Sequence, residues 1–282
     1  MEFVTLNNSV KMPLLGLGVM EIENSEAGEK IIINAIETGY RMIDTAAAYF
    51  NEETVGSAIR KSGIPRNELF ITSKFWVQDA GYENTKKAFY ISLEKLGLDY
   101  LDSYLIHVPF GDYYGSWRAM EELYTEGKIR AIGVCNFYPA RLADLCLNVQ
   151  IKPAICQIEL HPFYQQSDAL ENMKKFNIQP EAWSPLAHGK HNIFSNKVLN
   201  QIAQKYNKTI SQVAIRWNIQ RGVVVIPKTV KKERMIENIT SWDFSLTDKE
   251  MQEIAGLDMG HTEENPISLQ AAISANQWKI HI

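Results

Sequence analysis

Side chains capable of acid–base chemistry or polar recognition sit at the ends of successive short apolar runs in this 282-residue chain. In order they are Asp44, Lys74, His107, Asn136, Gln157, Trp183 with Ser184, and Lys228. Tyr49 follows Asp44 by five residues. A carboxylate, an ammonium, an imidazole and a phenol are groups that accept and donate protons in catalysis. Taken singly, each has a plain structural reading. Asp44 and Lys74 suit a buried ion pair, His107 a satisfied core histidine, and Tyr49 a packed aromatic. Their ordered recurrence at consecutive run ends points instead to one shared site.

The elements that would carry these residues alternate. Strand-like runs fall at 14–18, 41–45, 69–74, 101–107, 131–136, 154–159, 179–184 and 223–228. Helical patterns lie between or after them at 26–38, 83–96, 117–125, 139–147, 209–218 and 247–254, and a further helix is expected after Lys228. Gly97 stands where a helix would stop, Pro139 suits a first helical turn, and Thr209 and Thr247 each open a capping box. Before the first run, 3–6 and 10–13 flank the turn residues Asn7-Asn8-Ser9, which predicts a hairpin. Eight strand units with helical crossovers predict an α/β fold with a parallel sheet. On this pattern alone the sheet could be a closed barrel or an open doubly wound sheet. No linker or low-complexity tract divides the chain, so 1–282 reads as a single domain. Gly16-Leu17-Gly18 is followed by Glu21 rather than a third glycine, so a Rossmann phosphate loop is not supported. The two glycines suit a tight strand end.

Composition narrows the function classes. Apolar residues make up 45% and charged residues 22%, as in an ordinary soluble domain with a sizeable core. A net charge of −4 argues against nucleic acid and anionic membrane as partners. The three cysteines, Cys135, Cys146 and Cys156, form no CxxC pair, which argues against a disulfide framework or a cysteine zinc site. An early acid at Glu2 and no long apolar run argue against a secretory signal, and the cytoplasm is the expected location.

The stretches GYRMIDTAAAYFNEETVG (39–56), ITSKFW (71–76), LDSYLIHVP (101–109), IGVCNF (132–137), CQIELHP (156–162), AWSPLA (182–187) and IPKTVKKERMIENI (226–239) resemble the aldo-keto reductases in content, order and spacing. The resemblance implies a TIM (β/α)8 barrel with an N-terminal β-hairpin. It also implies NADPH-dependent reduction of aldehydes or ketones, with Asp44, Tyr49, Lys74 and His107 as the catalytic set. That set makes chemical sense. Carbonyl reduction needs a proton for the oxygen, and a phenol of pKa near ~10 is a reluctant donor that a neighbouring ammonium assists. Asp44 can hold Lys74 charged, and a neutral His107 can orient the substrate oxygen.

On the cofactor side the resemblance places Asn136 and Gln157 on the nicotinamide amide, Trp183 against its ring, and Ser184 and Leu186 along the pyrophosphate. Lys228, Thr229, Val230 and Arg234 would receive the 2′-phosphate end, and Glu237 and Asn238 the adenine. Lys228 and Arg234 favour NADPH over NADH, since charge-assisted bonds to a phosphate are strong. Met20 and Trp76, with Tyr49 and His107, would line a mostly apolar substrate pocket. The segment after Gly260, with Pro266, Trp278 and Ile280-His281-Ile282, is expected to fold over the barrel mouth.

The chain departs from the family at four of these positions. Cys135 replaces a usual serine, Trp183 a usual tyrosine or phenylalanine, Val108 a frequent tryptophan, and Met20 a common aromatic. The last two bear on pocket width rather than reaction type. Three rivals remain open at this level. A Schiff-base aldolase using Lys74 would need a lysine of lowered pKa, which Asp44 opposes. A metal hydrolase would need more ligands than the loop pair His188 and His191. An NADPH-binding barrel with a regulatory or redox-sensing role and little turnover would have no need of the four catalytic residue types. The expected partner is a small carbonyl substrate, with no metal, and the expected state is a monomer.

Overall fold

The turn Asn7-Asn8-Ser9 reverses the chain between β1 (Phe3–Thr5) and β2 (Lys11–Pro13), with Ser9 in the left-handed region at φ 69°. The computed structural model describes residues 2–262 and 265–281; Ile282 of the expected mouth segment lies outside the described residues. After the hairpin come eight parallel strands in sequence order. They are β3 (Leu17–Gly18), β4 (Met42–Asp44), β5 (Phe70–Phe75), β6 (Leu101–Ile106), β7 (Ile129–Cys135), β8 (Ile155–Glu159), β9 (Gln179–Trp183) and β10 (Val224–Val225). A parallel bridge between Leu15 and Val225 joins the first of these to the last. The Gly16 amide donates to the Val225 carbonyl at 2.9 Å, and the Val225 amide to Leu14 at 3.0 Å. The sheet is therefore a closed barrel, and the open-sheet alternative falls away.

The helices are α1 (Glu26–Thr38), α2 (Glu52–Lys61), α3 (Tyr82–Leu96), α4 (Tyr113–Thr125), α5 (Pro139–Asn148), α6 (Ser167–Phe176), α7 (Lys197–Tyr206), α8 (Ile210–Gln220), α9 (Lys232–Ile239), α10 (Asp248–Ala255) and α11 (Leu269–Gln277). The local signals act as expected. Thr209 and Thr247 both form complete capping boxes, Pro139 opens α5, and Gly97 ends α3 in the left-handed region. The helix expected from Trp117 begins earlier, because the Asp112 side chain caps it by accepting from the Gly115 amide. Helix α2 was not apparent in the pattern. The side chain of its N-cap residue, Asn51, makes no capping bond to the helix, and an interior Gly56 weakens its propensity. It forms by tertiary packing through Val55, Ala58 and Ile59. Among the described residues no helix is long and apolar enough to cross a membrane.

Strand parity sorts the side chains. Ile43, Ile71, Tyr104, Ile132 and Cys156 face outward into the large core beneath the helices. Met42, Phe70, Leu105, Ala131, Ile155 and Val224 face inward and form the lower interior. Leu6 and Met12 of the hairpin belong to that inner cluster, so the hairpin plugs the mouth at the strands' N-terminal ends. The Asn7 and Asn8 side chains donate to the carbonyls of Pro153 and Arg130, pinning the plug to the strand starts. Successive inward positions lie two residues apart. One step above Met42 and Ile155, and two above Phe70, the inward side chains are therefore Asp44, Gln157 and Lys74, joined by Glu181 opposite Gln157, all buried.

Gly18 lies at the closing seam, where an added Cβ would stand 2.8 Å from the Ile226 carbonyl oxygen. Gly18→Ala is expected to cost about 1–3 kcal/mol by forcing backbone to move. Gly256→Ala, where the nearest atom would be 3.4 Å away, should stay within about 0.5 kcal/mol of wild type. Urea unfolding of both variants checks the seam; equal losses would show that close approach at Gly18 is not the cause.

Candidate active site

Lys74 is fully buried inside the barrel. Its Nζ lies 2.5 Å from Asp44 Oδ1 and donates to the Thr45 carbonyl at 3.0 Å. The ladder sets this pairing, because Asp44 on β4 sits opposite Thr72 on β5, two residues below Lys74 on the same face. Burial works against the ammonium. The Asp44 charge, then Tyr49, Cys135 and the Asp44 hydrogen bond, together outweigh that penalty and hold the lysine above its ordinary range.

After β4 the chain makes a 3-10 turn, Ala47–Tyr49, ended by Phe50 in the left-handed region at φ 56°. That turn brings the half-buried Tyr49 back over the ion pair, with Lys74 Nζ 5.1 Å from the phenol ring centre. Burial pushes the phenol up to about 12; Lys74 pulls it down through its charge and a hydrogen bond, while Asp44 pushes it up. The assistance expected from Lys74 is present. In the free protein desolvation exceeds it, so the net shift is upward.

The His107 ring stands edge-on to both Tyr49 and Trp76, at 5.5 and 5.2 Å between centres. Burial and then the Lys74 charge hold its pKa well below the ordinary histidine value, so the ring is neutral. Its Nδ1 is buried without a partner among the described residues. Asp44, Tyr49, Lys74 and His107 are thus brought together, with Trp76 beside them. Met20 lies 39% exposed at the end of β3.

Around the rim the other expected residues separate into two groups. Asn136, in the left-handed region at φ 60°, accepts from the Trp183 indole at 3.0 Å and donates to the His107 carbonyl at 3.4 Å. Ser184, also left-handed, keeps a buried Oγ without a partner among the described residues. Leu186 is half-buried just beyond it. These line one open edge. Gln157 faces further in, where its Nε2 donates to Asp44 Oδ2 and to Glu181 Oε2, each at 2.9 Å. Cys135 Sγ lies 3.8 Å from Gln157 Oε1, and burial holds that thiol protonated.

At the end of β10, Lys228 is exposed and meets Glu21 at 3.4 Å across the seam. Thr229 is buried, and its hydroxyl accepts from the Lys231 amide; Val230 and Arg234 are exposed. Glu237 accepts from the Thr209 hydroxyl. Asn238 is buried and hydrogen-bonds Tyr40. Both residues expected at the adenine are therefore already engaged by protein groups.

Around the ion pair and its wall, two features escaped the sequence reading. Glu181 joins the buried polar layer. It is two residues before Trp183 on a strand already identified, so parity alone would have placed it inside. The second is how firmly the C-terminal segment is tied down. The Trp76 indole donates to the carbonyls of Ala275 and Trp278, both at 3.1 Å, and Trp278 packs 5.0 Å from Trp76. Gln78 bonds the backbone of Ile280 and His281, and the His281 ring lies 2.9 Å from Asp79. The expected fold over the mouth thus takes the form of a wall beside His107.

Asp44→Asn should leave the buried Lys74 charge uncompensated and cost about 3–5 kcal/mol. Adding Lys74→Met should recover much of that loss. Urea unfolding of the single and double variants checks this, and a cheap single substitution would mean that the pair is not a charged one.

The Aldo/keto reductase family model matches residues 14–259. The glyoxal reductase of Bacillus subtilis is 51% identical over 91% of this chain and 93% of its own length. An aldo-keto reductase from a Medee basin deep-sea metagenome superposes with a TM-score of 0.89 at 44% identity, covering 92% of this chain and 96% of that one. The Bombyx mori aldo-keto reductase, solved in complex with NADP, gives a TM-score of 0.88 at 33% identity, covering 93% and 94%. The family match, the identities and the shared fold agree, and the chain belongs to the aldo/keto reductase family.

Proposed function

We propose that this chain is a single-domain, cytoplasmic, monomeric NADPH-dependent carbonyl reductase acting on small aldehydes and α-dicarbonyls. The observation that carries the reading is the Lys74 ammonium, held charged by Asp44 at 2.5 Å directly beneath the Tyr49 phenol. Tyr49 is the proton donor. Its raised pKa keeps the proton on the phenol until negative charge develops on a substrate oxygen, and Lys74 then stabilises the phenolate that results. His107, neutral and edge-on to Tyr49, offers an N–H to the same oxygen and orients it. Trp76 and Trp278 give the pocket an apolar wall, which favours small substrates and limits water.

The open edge fits the cofactor. Ser184 Oγ is a buried polar atom still needing a partner, beside the half-buried indole of Trp183. Lys228 and Arg234 are exposed cations at the far end, suited to a 2′-phosphate. Asn136 and Trp183 would hold the nicotinamide, Ser184 and Leu186 the pyrophosphate, and Lys228 with Thr229, Val230 and Arg234 the phosphate end. Gln157 can offer the carboxamide only its oxygen, because both amide hydrogens are spent on carboxyl oxygens. Bound there, the nicotinamide supplies the hydride. The glyoxal reductase relative supports an α-dicarbonyl as the first substrate to try.

Steady-state NADPH oxidation with glyoxal and methylglyoxal tests the reading. Tyr49→Phe should lower kcat by about 10²–10⁴ while NADPH binding, followed by tryptophan quenching, persists. NADPH binding without turnover by the wild type would favour the regulatory barrel instead. Lys228→Ala with Arg234→Ala should weaken NADPH by at least about tenfold and leave NADH nearly unchanged. Equal losses for both nucleotides would refute the phosphate assignment.

A further inference from the structure

The Gln157 amide joins two buried acids. Its Nε2 donates to Asp44 Oδ2 and to Glu181 Oε2 at the same 2.9 Å distance. Glu181 is fully buried on β9, directly across the ladder from Gln157. Its second oxygen, Oε1, has no partner among the described residues. An amide that gives both hydrogens to carboxyl oxygens has one workable orientation. If it flipped, its carbonyl oxygen would face Asp44, and the two acceptors would repel. Glu181 therefore fixes the amide from the side away from the catalytic groups. A contact chain runs from Glu181 through Gln157 to Asp44, then to Lys74 beneath Tyr49.

We propose that Glu181 is a positioning residue for the proton-donating centre, acting through Gln157 to hold Asp44 and Lys74 in place. This inference rests on the reductase reading above. Charge gives it a second consequence. Burial and then Asp44 raise the Glu181 pKa to about 8, opposed by the Gln157 hydrogen bond and the Lys74 charge. The charged and titratable groups facing it are Asp44 on β4, Lys74 on β5, Cys135 on β7 and Cys156 on β8. Burial keeps both thiols protonated. At neutral pH Glu181 is thus largely uncharged, and Asp44 alone balances Lys74. As pH rises through about 8, a second carboxylate charge appears in the same layer. That charge opposes phenolate formation at Tyr49, so reduction slows.

Two variants separate geometry from charge. Glu181→Gln keeps an acceptor for Gln157 but cannot ionise; Glu181→Leu removes both properties. Glu181→Leu should lower kcat for methylglyoxal by at least about tenfold, with KM changing less than about twofold. Glu181→Gln should keep most of the kcat at neutral pH and move the alkaline fall of kcat upward by about one pH unit or more. Infrared spectra at neutral pH should show a protonated-carboxyl band in the wild type that Glu181→Gln lacks. Wild-type turnover in the same assay tests the reductase reading separately, since its absence would sink that reading. With an active wild type, an unchanged kcat in Glu181→Leu overturns the positioning role. Should Glu181→Leu fail to fold, an alkaline limb unmoved in Glu181→Gln, or the lack of the infrared band, overturns the proposal by itself.

Discussion

Removing an ammonium from water costs several kcal/mol, and a carboxylate costs as much again. The barrel accepts both costs at Lys74 and Asp44, in a layer where every surrounding side chain is also removed from solvent. The pair holds because its remaining hydrogen-bonding capacity is used. Lys74 also donates to the Thr45 carbonyl, and the second Asp44 oxygen accepts from Gln157. Such a pair contributes little to net stability, and well-packed apolar residues often do as well. What it provides is a fixed positive charge beneath a phenol, at a depth where screening by water and salt is weak. The neutral state of His107, the raised Tyr49 and the raised Glu181 are all consequences of that charged pair and the dry layer around it.

The rim is divided by function and by solidity. Asp44, Lys74 and Gln157 lie on strands, whose register fixes them to their neighbours, and Tyr49 reaches over them from a 3-10 turn. Those expected to meet a nucleotide lie where strands give way to loops, at Asn136, Ser184 and the end of β10. Asn136 and Ser184 both have positive φ without being glycine, a conformation that tertiary contacts must support. The Asn136–Trp183 bond provides one such contact. At the far end, Glu21 meets Lys228 at the place where a phosphate would compete for the same cation.

Much of this was legible in the sequence because strand parity and capping chemistry are local. All eight strand runs formed, and the two Thr-led capping boxes formed as written. Asp44, Lys74 and His107 could be placed at strand ends because parallel strands here are short apolar runs with abrupt polar ends. The strand pattern alone left closure open, because the Leu15–Val225 bridge depends on two distant segments meeting; the family resemblance supplied the barrel. The engagement of Glu237 by Thr209 and of Asn238 by Tyr40 was equally hidden, since each partner lies remote in sequence. Glu181 is a different case. Its parity with Trp183 was readable, but a lone glutamate in a strand suggests a surface face until its neighbours are known. The wall built by Trp278 depends on contacts spanning some two hundred positions.

The hairpin has a consequence for traffic through the barrel. Leu6 and Met12 cork one end with apolar side chains over an apolar layer, so no aqueous channel runs through the cylinder. Everything must come and go by the opposite opening, under the shelf formed by Trp278. On the proposed chemistry, a phenol that has given up its proton is resupplied through the same doorway by which the alcohol departs. Recharging the donor and discharging the product then share one corridor.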